Sequence, residues 1–402
     1  GFVGLVGVDD VTIAGENLAV TVNRAAEDGS VLDFSGTHNL TVATGPGTEQ
    51  TFTMDGARGD LIEASGSLEL DIDGFFSLSG DFAFSKSVES VVLDDSSDVD
   101  VDALLIGATG VDAFAGLNGG TDDAVGLELS DVEFGLALLT DRNDITRSWT
   151  ALQASAASAG IVGLDALTLE STDLSIRVNQ ASSDGSVVDF AAQGLDVGTG
   201  PGSSLGLDMA GSLGELFEVA GNVEIAVSEF VEISGALAFS KATREGQDEF
   251  VAIGSGITAK LAAGDAVEVG ISDAEFGLFS AGEAFAFELK QGEFFASIAD
   301  FASIDAEQVF VQYTNLTTAV ADGRTLEIGD SSYAFSGAIA EDTVAVAVSG
   351  FEAQVSKFVE ISGDLAFRKS GADIVAAGEG ISASLKAGPA SVTLGNAEFG
   401  LI

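Results

Sequence analysis

One twelve-residue segment occurs three times in this chain and constrains its fold more than any other feature. It reads FFSLSGDFAFSK at Phe75–Lys86, FVEISGALAFSK at Phe230–Lys241 and FVEISGDLAFRK at Phe358–Lys369. In each copy the residues alternate in character straight through a central glycine, which is the period of a single β-strand. We therefore predict one strand of about ten residues at each copy, with the glycine at a bulge or a close-packing position.

The segments around the three copies repeat in the same order. LVGVDDVTI at Leu5–Ile13 returns as IVGLDALTL at Ile161–Leu169, and VATGPG at Val42–Gly47 returns as VGTGPG at Val197–Gly202. A phrase containing EFGL closes each repeat. Matching register over so long a stretch indicates duplication, although the third copy is more divergent. We therefore assign three repeat units, residues 1–139, 140–279 and 280–402.

We expect the repeat to be cut at both ends of the chain. A further strand, Ser148–Gly160 and then Glu283–Ile298, separates successive units, and the chain begins after one equivalent of this strand and stops before the next. We therefore expect a window from a longer array, with further copies of the same repeat as its partners and no capping repeat at either end. Lateral self-association of such arrays into fibres is a further expectation.

Short turn signals separate the alternating segments. Several contain Asp-Gly, which supplies the positive φ angles that tight hairpins need. In chain order, the signals lie at Glu27–Ser30, Ser183–Ser186, Arg244–Gln247, Ala262–Asp265, Ala321–Arg324, Lys369–Asp373 and Lys386–Pro389. Short turns join antiparallel neighbours, whereas parallel strands need long crossovers. Only an Ala- and Ser-rich stretch around Gln153 carries any helical period.

The sequence therefore predicts an all-β protein. Tandem repeats of long antiparallel meander strands form an elongated β-array, rolled or layered so that the strongly apolar face of each strand is hidden. The alternatives are β-sandwiches strung along the chain and a parallel β-solenoid. In the strand that closes each repeat the apolar residues change parity, which predicts a β-bulge near Asp273 and near Asn396.

Composition narrows the class of protein. The chain has 402 residues, with 15 Lys and Arg against 64 Asp and Glu, so its formal net charge is −49, and it has no cysteine. Hydrophobic residues make up 46%, too many for a disordered chain. The charge repels phosphate, which excludes a nucleic-acid partner and disfavours anionic membranes. No apolar run predicts a membrane span. An acidic, cysteine-free surface favours an extracellular or cell-surface location.

Residues suited to catalysis are scarce. His38 is the only histidine, lies in a predicted turn and has no counterpart in the second unit, so neither a Ser-His-Asp triad nor a histidine metal site is indicated. Acidic residues are so frequent that no pair of them marks a glycosidase site. We therefore do not expect an enzyme. Lys86, Lys241 and Lys369 end the repeated strand, where we expect them to pair with carboxylates, and Trp149 is expected to pack between units.

An acidic insertion is the best candidate for chemistry. The sequence DDSSDVDVD at Asp94–Asp102 has no counterpart in the second unit. Calcium takes six to eight oxygen ligands, and alternate aspartates in one loop supply several of them. The spacing is not that of an EF-hand. The candidate ligands, with Ca²⁺ as the candidate cofactor and a solvated acidic loop as the alternative, are Asp94, Asp95, Asp98, Asp100 and Asp102.

The repeated phrases FVEISG, VGLD, DGS and AEFGL resemble repeats in giant tandem-repeat surface proteins of marine and planctomycete-like bacteria. That resemblance covers nearly the whole chain, and it implies a secreted, acidic, adhesin-like protein. The GGxGxD nonapeptide of RTX proteins is missing. We expect a structural or adhesive segment that serves as fibre, stalk or scaffold. The alternative is a calcium- or polysaccharide-binding module with polysaccharide or cell-surface ligands.

Overall fold

The computed structural model describes residues 3–4, 11–164, 166–244, 247–264 and 266–402. Within these ranges the regular structure is 24 strands and three short 3-10 helices. Neighbouring long strands pair antiparallel, which confirms the predicted all-β meander and excludes a parallel solenoid. None of the helices in the described part of the chain has the length and apolar character that a bilayer span requires.

The strands up to residue 207 are β1 (Val3–Gly4), β2 (Val11–Asn23), β3 (Leu40–Gly45), β4 (Thr48–Phe52), β5 (Leu61–Ile72), β6 (Phe76–Val92), β7 (Asp98–Leu117), β8 (Val125–Asp141), β9 (Ser148–Val162), β10 (Leu167–Gln180), β11 (Leu195–Gly200) and β12 (Ser203–Leu207). The 3-10 helices are Gly36–His38, Gly56–Arg58 and Gly211–Leu213.

The remaining strands are β13 (Glu215–Val227), β14 (Val231–Arg244), β15 (Gln247–Ala262), β16 (Val267–Ala281), β17 (Ala284–Ile298), β18 (Ala302–Thr314), β19 (Thr325–Ile328), β20 (Ser331–Ala334), β21 (Thr343–Val355), β22 (Val359–Ser370), β23 (Asp373–Ala387) and β24 (Ala390–Leu401). The strand β9 includes Gln153, so the Ala- and Ser-rich stretch is extended and not helical.

The chain folds as two compact units. The first contains residues 1–159 and 175–217, and the second contains residues 160–174 and 218–402. These units do not follow the three sequence repeats. The reason is that a segment near the start of one repeat packs on the sheet of the repeat before it.

The first unit contains a sheet in which β2, β5, β6, β7 and β8 are hydrogen-bonded in that order. In the second unit the order β14–β15–β16–β17–β18 continues through β21, β22, β23 and β24. Three two-stranded pieces lie outside these ladders, β3–β4, β11–β12 and β19–β20, and we call them the cover hairpins.

The repeated segment is one strand in all three copies, β6, β14 and β22, as predicted. Its central glycine lies at a break in register with the next strand, and its φ is 152° at Gly80 and 139° at both Gly235 and Gly363. A Cβ atom on Gly235 would lie 2.6 Å from the side chain of Ile257. The predicted bulge is confirmed, and both the backbone angle and the space favour glycine there.

The bulges predicted in the closing strands are also confirmed. Asp273 and Asn396 have φ values of 53° and 50°, and the first repeat has Asp131 at 47°. The register between β15 and β16 shifts beside Asp273, and that between β23 and β24 shifts beside Asn396. A residue in the left-handed region at such a place is typical of a bulge, and Asp and Asn tolerate this conformation better than most residues.

The prediction about which face is hidden was wrong. In β14 the apolar residues Ile233 and Phe239 are 39% and 38% exposed, whereas Ala238 and Ser240 on the opposite, small-residue face are buried. A cover hairpin lies on the small-residue face in each unit. Small side chains allow a second backbone to approach a sheet closely, and this explains why that face, and not the apolar one, is covered.

The turn signals divide into two groups. Those at Lys369–Asp373 and Lys386–Pro389 connect neighbouring strands, as predicted. The turns at Glu27–Ser30, Ser183–Ser186 and Ala321–Arg324 lie instead in the segments that carry the cover hairpins. Two further predicted turns and the first opening segment include residues outside the described part of the chain, namely 245–246, 265 and 5–10.

Candidate functional site

The structure spreads the five candidate calcium ligands along a hairpin. Asp94 and Asp95 lie in the turn between β6 and β7. Asp98, Asp100 and Asp102 lie in β7, where alternate residues point the same way and all three are exposed. Successive same-face residues of a strand are about 6.6 Å apart. Asp102 forms an ion pair with Arg142, at 3.3 Å.

The acidic insertion contacts the segment that carries the cover hairpin β11–β12. The backbone amide of Asp94 donates to the carbonyl of Val187 at 3.0 Å, and the Asp94 carboxylate accepts from the Val187 amide at 3.3 Å. The amide of Asp189 donates to the carbonyl of Val92 at 2.8 Å. Leu93 and Val188 are both buried beside these bonds. The insertion therefore lengthens a hairpin that anchors its neighbour.

The calcium site itself stays a prediction. Among the residues that the structure describes, no group of three or more His, Cys, Asp or Glu side chains is arranged to hold a metal ion. The Ser97 hydroxyl, and then the Ser97 backbone amide that donates to Asp95 at 2.9 Å, lower the pKa of the Asp95 carboxyl. That carboxylate already has a role in closing its own turn.

We expect Asp94→Ala to lower the stability of the first unit by about 1 kcal/mol, since it removes an acceptor from the Val187 amide, and Asp98→Ala to have almost no effect. Thermal melts followed by the fluorescence of Trp149 measure both. The same melts in millimolar calcium and in chelator test the metal prediction, because a ligand of the folded state raises the melting temperature. A calcium-dependent rise that both variants abolish would establish the site.

The structure also places the other residues named from the sequence, which are His38, the strand-ending lysines and Trp149. His38 ends an exposed 3-10 helix. We predicted carboxylate partners for all three strand-ending lysines, and Lys241 has one, because its Nζ lies 3.1 Å from the carboxylate of Asp248. Trp149 is buried in the first unit, and its indole nitrogen donates to the carbonyl of Ser186 at 3.0 Å.

In the first unit the cover hairpin β11–β12 lies over β6, β7 and β8. Val197 and Leu205 cover Gly135, where an added Cβ atom would lie 3.2 Å from Val197 and 3.3 Å from Leu205. Gly198 passes so close to Gly107 that a side chain on Gly107 would collide with the hairpin backbone. Glycines on both surfaces thus permit a backbone-to-backbone approach that larger residues would prevent.

In the second unit the cover hairpin β19–β20 lies over β14, β15 and β16. Tyr333 and Phe335 pack with Phe279 of the sheet in one buried cluster, which also includes Ile253. The Phe279 and Phe335 rings meet edge to face with centroids 5.8 Å apart. Tyr333 lies against Gly277, the residue that matches Gly135 in the EFGL phrase.

A buried carboxylate fixes this second hairpin. Glu288 in β17 has no exposed surface, and its Oε2 accepts from the Gln312 amide at 2.7 Å. Its Oε1 accepts from the Tyr333 hydroxyl at 2.9 Å and from the backbone amide of Ser336 at 2.8 Å. Burial, and then the charge of Glu288, raise the pKa of the Tyr333 phenol above its ordinary value. No sequence pattern marks this network, because acidic residues are common throughout the chain.

The two units therefore share one arrangement, a cover hairpin from a later repeat on the small-residue face of an earlier one. No family model, curated protein or solved structure matches this chain. The covered faces are the features that occur twice with matching residues. They are therefore the candidate functional surfaces, and they serve contact between repeats.

Proposed function

We propose that this chain is a non-enzymatic structural or adhesive segment of an extracellular or cell-surface repeat protein, which serves as fibre, stalk or scaffold. The observation that carries the proposal is the cover arrangement, made once in each unit at matching positions such as Gly135 and Gly277. The second and third repeats each cover the sheet of the repeat before them. A protein built in this way grows by addition of further repeats, as repeat proteins do.

The charge of the chain supports the same role. A net charge of −49 keeps a large β-sheet surface soluble and discourages random association of sheets. The exposed apolar side chains on the uncovered faces, such as Phe239, Phe250 and Phe367, need this protection.

Antibody labelling of intact producing cells tests the location. We expect label on the cell surface or on material released from it, and loss of the label when intact cells are treated with protease. A cytoplasmic protein of the same cells is the matched control and must stay protected. Signal that requires permeabilised cells would contradict an extracellular scaffold.

A carbohydrate-binding module is the second candidate, and one cavity favours it. A cavity of about 560 Å³ lies beside the cover hairpin β11–β12, within the size range of small-ligand sites. Its polar lining includes Arg58, Glu63, Gln193 and Asp196. A glycan array probed with the chain and with Gln193→Ala, beside Arg142→Ala as a control outside the cavity, separates the two candidates. Binding that only Gln193→Ala weakens would favour the module.

A further inference from the structure

The glycine of the EFGL phrase has three different environments. Gly135 is covered by Val197 and Leu205, and Gly277 is covered by Tyr333. Gly400 is the third, and a Cβ atom added there would meet no atom within 4 Å. In the described part of the chain, no hairpin lies over the small-residue face of β22, β23 and β24, in contrast to the equivalent strands of the first two repeats.

The open face is concave. A depression of about 740 Å³ lies on it, across strands β18 and β21–β24. Its floor is a row of residues paired across the sheet, Phe310, Ala347, Ala366, Ala377 and Gly400. Ala366 is exposed, whereas Ala238 at the matching place in β14 is only 1% exposed, beneath its cover hairpin.

One cover hairpin is also without a sheet. In β3–β4, Val42 and Phe52 are 43% and 38% exposed. The matching residues of β11–β12 are Val197 and Leu207, which are 0% and 1% exposed because they face the sheet of the first unit. Among the residues that the structure describes, one hairpin therefore has no sheet beneath it and one sheet face has no hairpin over it.

We propose that the chain associates head to tail, with the cover hairpin β3–β4 of one copy packed on the open face of β22–β24 of a second copy. This continues the contact that each unit already makes internally. Because the two surfaces differ, the contact is heterologous, and each added copy presents a new hairpin or a new face. The inference extends the proposed scaffold role but does not depend on it.

The fit requires a small displacement relative to the first unit. Ala377 replaces Gly107 on the sheet, and Ala43 replaces Gly198 on the hairpin, so the two backbones must lie further apart. The second unit shows that this is tolerated. Ile253 occupies the same place on β15 and is 4% exposed beneath its own cover hairpin.

The contact is expected to be weak and salt-dependent. A single two-stranded hairpin covers less surface than the roughly 800 Å² per partner of a stable protein interface. Both copies are strongly acidic, and Asp364, Glu379 and Glu398 border the depression. Salt screens this repulsion, so association should increase between low ionic strength and about 0.5 M NaCl.

Sedimentation velocity of the full chain over a wide concentration range tests the proposal. We expect the weight-average mass to rise above the 40.5 kDa of one chain as concentration increases, and more steeply in high salt. Val42→Asp on the hairpin and Gly400→Glu on the open face should each abolish the rise. Thr41→Asp, on the other side of the same hairpin strand, should not.

A mixture of the two disabled variants gives the sharpest test. Val42→Asp keeps an intact open face, and Gly400→Glu keeps an intact hairpin, so the mixture should form one-to-one pairs and nothing larger. A mass that stays at one chain at every concentration and salt would overturn the proposal. Association that survives in both single variants would overturn it too, because the contact would then lie elsewhere, for example at the edge of β24. Circular dichroism checks that each variant is folded.

Discussion

Gly277→Leu is expected to destabilise the second unit by about 1–3 kcal/mol, while Gly400→Leu should change its stability by less than about 0.5 kcal/mol. The two glycines occupy the same place in the phrase AEFGL, which occurs at the ends of both the second and the third repeat. Both lie in strands, β16 and β24. The two positions differ in the cover above the residue and in strand pairing, since β16 pairs with β15 and β17 whereas β24 pairs with β23 at the end of the ladder.

The physical reason is the ring of Tyr333. A Cβ atom on Gly277 would lie 2.6 Å from one ring carbon and closer still to another. Tyr333 has no room to move, since its ring packs edge to face against Phe335 with centroids 5.5 Å apart and its hydroxyl donates to Glu288. A side chain at Gly277 must therefore displace the cover hairpin, which exposes the buried cluster beneath it.

Hydrogen exchange measured by mass spectrometry locates the effect. Gly277→Leu should speed hydrogen exchange of the amides in β19 and β20. Trp149 is the only tryptophan and is buried in the first unit, so its fluorescence reports the unfolding of that unit. The unfolding transition measured by this fluorescence should be the same in Gly277→Leu as in the parent chain. In a Tyr333→Ala background the leucine should cost much less, because the two residues are in contact. Equal destabilisation at Gly277 and Gly400 would contradict this account of the cover.

The strands were predictable because the alternation of residues within each segment indicates a strand without reference to the rest of the fold. Period two in Val231, Ile233 and Leu237 predicts a strand whatever it packs on, and a change of parity at Asp273 predicts a bulge. The hairpin covers were not predictable in this way. The segments that carry these hairpins are short and irregular. The repeat boundaries in the sequence show which segments are homologous, but they do not show which surfaces pack together.

The wrong prediction about the hidden face has the same origin. Ile233 and Phe239 are more apolar than Ala238 and Ser240, and hydrophobicity alone places them inside. Close approach of a hairpin backbone favours small residues on the sheet instead. The signal that could have revealed this is the row of Gly and Ala across neighbouring strands, Ala83 beside Gly107 and Gly135.

The candidate metal ligands have different roles in the structure that the composition of the chain does not reveal. In a chain with 64 acidic residues, a run of aspartates does not by itself mark a metal site, and only the contacts of each carboxylate distinguish one from another. Asp94 bonds the Val187 amide, whereas Asp98 is exposed on its strand. Glu288, whose carboxylate accepts four hydrogen bonds, lies in a stretch that no motif marks.

Glu288→Ala is expected to give the largest loss of stability, at least about 3 kcal/mol in the second unit. The carboxylate is fully buried and accepts four hydrogen bonds, from Gln312, from the Tyr333 hydroxyl, and from both the amide and the hydroxyl of Ser336. Alanine leaves these donors without an acceptor beneath the hairpin and adds a cavity, and each unsatisfied buried group costs about 1–3 kcal/mol.

Two further variants distinguish the causes of that loss. Glu288→Gln keeps the shape and the Oε1 acceptor, and Gln312 can turn its own amide to accept, so we expect a loss of only about 1 kcal/mol. Glu327→Ala removes an exposed carboxylate from the same cover hairpin and should be nearly neutral. Urea unfolding followed by circular dichroism, with hydrogen exchange at β19 and β20, ranks the three. If Glu288→Ala proved no worse than Glu327→Ala, the buried carboxylate would not be what fixes the hairpin to the sheet, and packing of Tyr333 and Phe335 alone would have to hold it there.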